Sequence, residues 1–102
     1  MNPYLEDTDP NFWLSCILID EKCKVTPLEI LHKLNEFNVE SRPLWKPMHM
    51  QPVFEGYDFI SAEEKPVNEE IFARGLCLPS DIKNTAEDME LIISVVRKVF
   101  GK

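Results

Sequence analysis

The chain has 102 residues and a formal net charge of −7, with 44% apolar and 28% charged residues. That is room for one domain around one core, 1–102, and too little for a cofactor domain and a substrate domain together. Ordinary globular composition excludes disorder, and the acidic surface argues against nucleic acid and anionic membrane as partners. The longest apolar run, Phe12 to Ile19, is broken by Ser15 and is too short to cross a bilayer. No basic stretch precedes an apolar one at the N-terminus, so the expected protein is soluble and cytoplasmic. Cysteines at 16, 23 and 77 with no CxxC, and histidines at 32 and 49, point to neither a metal site nor a disulfide framework. Cys16 and Cys77 read as small core residues, Cys23 as an exposed member of a charged turn.

Residues 1–11 are acidic and polar, contain Pro3 and Pro10, and read as an extended lead-in. Phe12 to Ile19 reads as a strand. Phe12, Leu14, Cys16 and Leu18 fall on one face, and Trp13, Ile17 and Ile19 on the other. Two apolar faces predict cover on both sides. Asp20 to Val25 is a charged turn. Thr26-Pro27-Leu28-Glu29 is a capping box with proline at the first helical position. The spacing of Ile30, Leu31, Leu34 and Phe37 carries that helix to about Phe37, with Asn38 as its left-handed terminator. Val39 to Arg42 is a short strand stopped by Pro43.

Residues 43–66 carry four prolines and a glycine, which forbid long regular elements. A loop of that length inside a compact domain marks function. Val67 to Arg74 reads as a helix with Ile71 and Phe72 inward, closed by Gly75, and Leu76 to Pro79 as a strand. Thr85 caps a final helix whose inward stripe is Met89, Ile92, Ile93, Val96, Val99 and Phe100. The order β-α-β-loop-α-β-α predicts an α+β, two-layer domain, with helices packed on a small sheet of about three strands.

Between Glu40 and Glu55 there is no acidic residue, and Arg42, Lys46 and His49 sit there with Trp45, Met48 and Met50 between them. That is the pattern of an anion pocket. An arginine can grip a phosphate or carboxylate bidentately, a lysine adds a point charge, and a tryptophan stacks on a ring. His49 and Gln51 suit sugar hydroxyls. The plainer alternative is that the two cations neutralise nearby acids while the apolar residues anchor the loop. His32 reads as a solvent-side residue. No glycine-rich phosphate loop and no GxSxG is present, and Glu63-Glu64 and Glu69-Glu70 read as solvated helix starts. The residues offer a binding loop and no catalytic group.

The stretch SRPLWKPMHMQPVF, followed by IFARGLCLPS and TAEDMELIISVVRKVF, resembles the C-terminal small domain of the DegT/StrS family of pyridoxal-phosphate-dependent nucleotide-sugar aminotransferases of fold-type I. The lead-in NPYLEDTDPNFWLSCILID fits the same pattern, so the resemblance covers essentially the whole chain. It implies amination of a keto-sugar nucleotide for surface-polysaccharide or glycan synthesis. It also implies pyridoxal phosphate in an intact homodimeric enzyme, and a nucleotide-sugar substrate contacted from Arg42, Trp45, His49 and Gln51. In the family the cofactor lysine belongs to a large N-terminal domain, to which nothing in this sequence corresponds. The implied chain is then an excised or truncated small domain, inactive alone, holding no cofactor and missing that domain as its partner. The alternative is a free-standing, non-catalytic module that binds an anionic metabolite or serves as an interaction or dimerisation domain.

Overall fold

The computed structural model describes residues 4–62 and 64–102. The first three residues of the expected lead-in and Glu63 of the expected acid pair lie outside them. In chain order the elements are β1 (Ser15–Leu18), α1 (Pro27–Asn35), β2 (Arg42–Pro43), α2 (Val67–Arg74), β3 (Gly75–Leu78) and α3 (Ala86–Val99). Two single 3₁₀ turns, Met48–Met50 and Pro52–Phe54, punctuate the long loop. The three strands form one antiparallel sheet in the order β1-β3-β2, so the domain is α+β as expected.

Both long helices start where the threonines put them. The Thr26 hydroxyl accepts from the Glu29 amide while the Glu29 carboxylate accepts from the Thr26 N–H at 2.7 Å. Thr85 and Asp88 do the same for α3, at 2.8 Å. Each box satisfies backbone donors that the first helical turn leaves orphaned. α1 stops at Asn35, two residues short of the expected end. Asn38 takes the left-handed conformation (φ 57°) and lets the Val39 N–H donate to the Leu34 carbonyl.

α1 and α3 pack on one face of the sheet. There Ile19, Ile30, Leu34, Leu76, Ile92 and Val95 form the buried core, with Ile17, Val39 and Leu78 against it. Val95, absent from the expected stripe of α3, is 1% exposed, whereas Ile93 within that stripe is 46% exposed. Cys23, expected in solvent, also packs on this core, because the turn after β1 folds back over it.

The first strand is half its expected length. Phe12 has φ 51°, a left-handed turn that ends extended pairing before Trp13. Only one face of β1 is fully covered. Ile17 and Ile19 point into the core, while on the opposite face Cys16 is half-buried and Leu18 is exposed. β2 is likewise only Arg42–Pro43, and Pro43 lies inside it, not beyond it. A proline is tolerated because β2 is an edge strand whose outer N–H positions need no partner.

Gly75 does not end α2 with a left-handed turn. Its φ is −97°, and it is both the last cap of the helix and the first residue of β3. A Cβ there would meet the Leu44 side chain and sit 2.5 Å from the Ile71 carbonyl oxygen. Glycine is required by close approach, which lets α2 turn into β3 without a loop. Arg74, immediately before it, donates from Nε to the Ile19 carbonyl at 2.7 Å and ion-pairs with Glu70. The Ile19 N–H returns the bond to the Arg74 carbonyl at 2.9 Å. The end of β1 is thereby clamped to the helix–strand junction. No helix among the described residues is long and apolar enough to cross a membrane.

Candidate functional site

Loop 43–66 leaves the sheet edge at β2 and returns at α2. Pro47 is buried and pins its first part. The Gln51 amide then donates to the Lys46 carbonyl at 3.5 Å, closing the 3₁₀ turn that carries His49. Gln51 therefore shapes the loop in addition to any contact it makes outward.

His49 is the best-held side chain of the loop. Its Nε2 lies 2.7 Å from Glu69 Oε1, and its ring stacks on Phe59 with centroids 3.6 Å apart and planes 16° from parallel. The imidazole is only 17% exposed. An ionised Glu69 selects the tautomer with the proton on Nε2, which makes Nδ1 an acceptor. His49 borders a cleft of about 290 Å³ shared with Met48, Tyr57, Asp58, Phe59 and Asn68. Aromatic walls, an imidazole acceptor, an amide and a carboxylate suit a neutral, hydroxyl-rich ligand better than a phosphate.

A second cleft, of about 240 Å³, opens on the other side of the loop between Tyr4, Phe12, Trp13, Cys16 and Trp45. Tyr4 and Phe12 meet edge to face at 5.7 Å. Trp13 and Trp45 are 70% and 66% exposed, so both indole faces are open for stacking.

The four residues singled out in the sequence do not converge. Trp45 lines one cleft and His49 the other. Arg42 borders neither. It is exposed on the edge strand and bonds Glu40 through Nε at 2.8 Å and Nη2 at 2.5 Å. The charge-neutralising alternative thus describes Arg42 as the structure places it. Glu69 and Phe59 are the residues that sequence reasoning missed. Glu69 is half-buried against His49 and is not a solvated helix start. Twenty residues separate it from His49 in the chain, and nothing local marks the pair.

The lysines complete the chemical inventory. All are exposed except Lys33, which is half-buried on α1 and pairs with Glu36 at 2.6 Å. Cys77 is 7% exposed, and burial pushes its thiol up to about 11.

The model of the DegT/DnrJ/EryC1/StrS aminotransferase family matches residues 2–97. EpsN of Bacillus subtilis (strain 168), named as a pyridoxal phosphate-dependent aminotransferase, is 40% identical over 91 residues. Those residues are 88% of this chain and 23% of EpsN. The GDP-perosamine synthase of Caulobacter vibrioides is 26% identical over 88 residues, 86% of this chain and 23% of that protein. The chain thus spans about a quarter of the length of these relatives. The crystal structure of a DegT DnrJ EryC1 StrS aminotransferase from Brucella abortus superposes with a TM-score of 0.68 at 24% identity. It covers 87% of this chain and 22% of that one, and it shows the same fold. A Schiff-base lysine must be held against its cofactor, with partners for the phosphate and the ring nitrogen. None of the exposed lysines here, nor Lys33 in its ion pair, fits that requirement. With 96 of its residues inside the family model, this chain belongs to the DegT/DnrJ/EryC1/StrS aminotransferase family.

Proposed function

We propose that this chain works as the small domain of a pyridoxal-phosphate-dependent enzyme that aminates a keto-sugar nucleotide, with the cofactor carried by a separate domain of a homodimer. The names of its relatives support the reaction class, since one is named for a pyridoxal phosphate-dependent aminotransferase and another for a GDP-perosamine synthase. The observation that carries the reading is His49, fixed between Glu69 and Phe59 at the edge of a cleft with hydroxyl-binding chemistry. Its role is to orient the sugar, Nδ1 accepting a hydrogen bond from a sugar hydroxyl, while bound pyridoxal phosphate supplies the amino-transfer chemistry. Trp45 offers a face for a base or sugar ring, Arg42 a cation for the diphosphate once it releases Glu40, and Gln51 holds the turn between them. The exposed Trp13, Leu18 and Trp45 favour this reading over a free-standing module, because such apolar surface suits cover by another protein body.

The test is steady-state kinetics and melting of the assembled enzyme. His49→Ala should lower kcat/KM by roughly ten- to a hundredfold with an unchanged cofactor absorbance band. Arg42→Ala should fall in the same range, and Lys46→Ala should do less, since an exposed lysine is a solvated charge on a flexible stem. Unchanged constants together with lowered melting temperatures would reduce the loop to a structural element.

A further inference from the structure

Cys16 on β1 and Cys77 on β3 are direct cross-strand partners, and their sulfur atoms lie 3.6 Å apart. Directly paired residues of antiparallel strands have Cα atoms about 4.5–5.5 Å apart, inside the window of about 4.4–6.8 Å that a disulfide spans. Both side chains stand on the sheet face away from the helices, outside the core cluster that takes in Cys23. Their environments differ. Cys77 is buried, whereas Cys16 is half-buried and borders the aromatic cleft beneath Trp45.

We infer that Cys16 and Cys77 form a reversible thiol-oxidation site that low-molecular-weight disulfides close into a cross-strand bond. Cys16 loses its proton and attacks one sulfur of the small disulfide. A mixed disulfide forms at Cys16 and one small thiolate departs and is protonated. Cys77 then attacks the Cys16 sulfur, its proton leaving with the second small thiol. The two protein thiols are oxidised by two electrons, and the oxidant is reduced to two thiols. The high pKa of the Cys77 thiol sets the order, because the thiolate is the attacking species and Cys16 is the sulfur in reach of solvent. Closure brings the sulfurs from 3.6 Å to about 2 Å, a side-chain rotation within a pair already in register.

The location gives the bond a consequence. Arg42 is the partner of Cys77 on its other side, so Cys16, Cys77 and Arg42 form one row across the sheet. A bond in that row ties β1 to β3 directly beneath the start of loop 43–66. This inference stands on the strand register and does not depend on the proposed aminotransferase role.

The experiment treats the full 102-residue chain with oxidised glutathione and follows intact mass and a peptide map. The expected product is lighter by two hydrogens, links the Cys16 and Cys77 peptides, leaves Cys23 as a thiol, and reverts with dithiothreitol. Cys77→Ala should stop at a stable glutathione adduct on Cys16. Cys16→Ala should slow modification of Cys77 to a rate at least about tenfold below that of Cys16 in the unaltered chain. An unaltered chain that accumulates an adduct on Cys16 without closing, or that reacts first at Cys23, overturns the inference. So does one that stays reduced in excess oxidant. Should either variant fail to fold, the peptide map of the unaltered chain decides alone.

Discussion

Gly75→Ala is the sharpest probe of how the fold supports the loop. The backbone at Gly75 (φ −97°, ψ 149°) is open to alanine, so no conformational penalty applies. Alanine would even gain about 0.4–1 kcal/mol by restricting the unfolded chain. The opposing effect is steric. The new methyl sits 2.5 Å from the Ile71 carbonyl oxygen and collides with the Leu44 side chain. Leu44 is a flexible end and can swing. The Ile71 carbonyl belongs to the last turn of α2 and cannot move without disturbing that turn, whose next residues clamp β1 through Arg74. Overpacking of this kind costs about 1–3 kcal/mol, so the net loss should be about 1–2 kcal/mol. In a domain of this size that is a fall of about 5–15 °C in melting temperature. The assay is urea denaturation of the parent, Gly75→Ala, Leu44→Ala and the double variant. Truncating Leu44 removes one obstacle and leaves the other, so the double variant should be less destabilised than the sum by about 0.5–1 kcal/mol. Gly75→Ala at or above parental stability would refute the close-approach argument. Strict additivity would show that Leu44 is not the obstacle.

Two other perturbations test the site and the helix starts. A double-mutant cycle on His49→Ala and Glu69→Ala should give a coupling energy of about 1 kcal/mol. That is the lower part of the range for charge-assisted bonds, because Glu69 keeps 41% of its side chain in solvent. A coupling near zero by urea denaturation would mean the bond does not organise the loop. At the helix starts, the Thr26 backbone and hydroxyl hold the Glu29 carboxyl below its ordinary pKa, and the Thr85 hydroxyl and backbone do the same for Asp88. A pKa lower in the folded state gives stability that is present above the unfolded pKa and lost as pH falls through the folded one. Thr26→Ala and Thr85→Ala should therefore lower the melting midpoint at neutral pH, with a deficit that narrows below about pH 4. A deficit independent of pH in thermal melts would remove the carboxylates from the account.

Much of the architecture follows from local rules acting on local sequence. Thr26 with Glu29 and Thr85 with Asp88 announce their helices because capping is a three-residue interaction, legible wherever those residues occur. Val67–Arg74 appears where the spacing puts it, and among the described residues of 43–66 the prolines leave only single 3₁₀ turns as helical structure. The resemblance to the family rests on the loop stretch taken together with residues 71–80 and 85–100 in that order, and the family model matches residues 2–97. Tertiary structure decided the rest. The apolar run from Phe12 cannot reveal that its backbone turns left-handed at Phe12, so the strand begins only at Ser15. Val95 and Ile93 are equally apolar, and only the crossing of α3 over α1 and the sheet determines that Val95 is buried and Ile93 is not. The candidate site shows the same division. Arg42, Trp45, His49 and Gln51 are close in sequence, but a proline-rich loop turns that stretch back and forth, so Trp45 and His49 line different clefts and Arg42 and Gln51 line neither. Glu69 and Phe59 reach His49 from distant segments, and Cys77 reaches Cys16 across 60 intervening residues, through a strand register that no local pattern encodes.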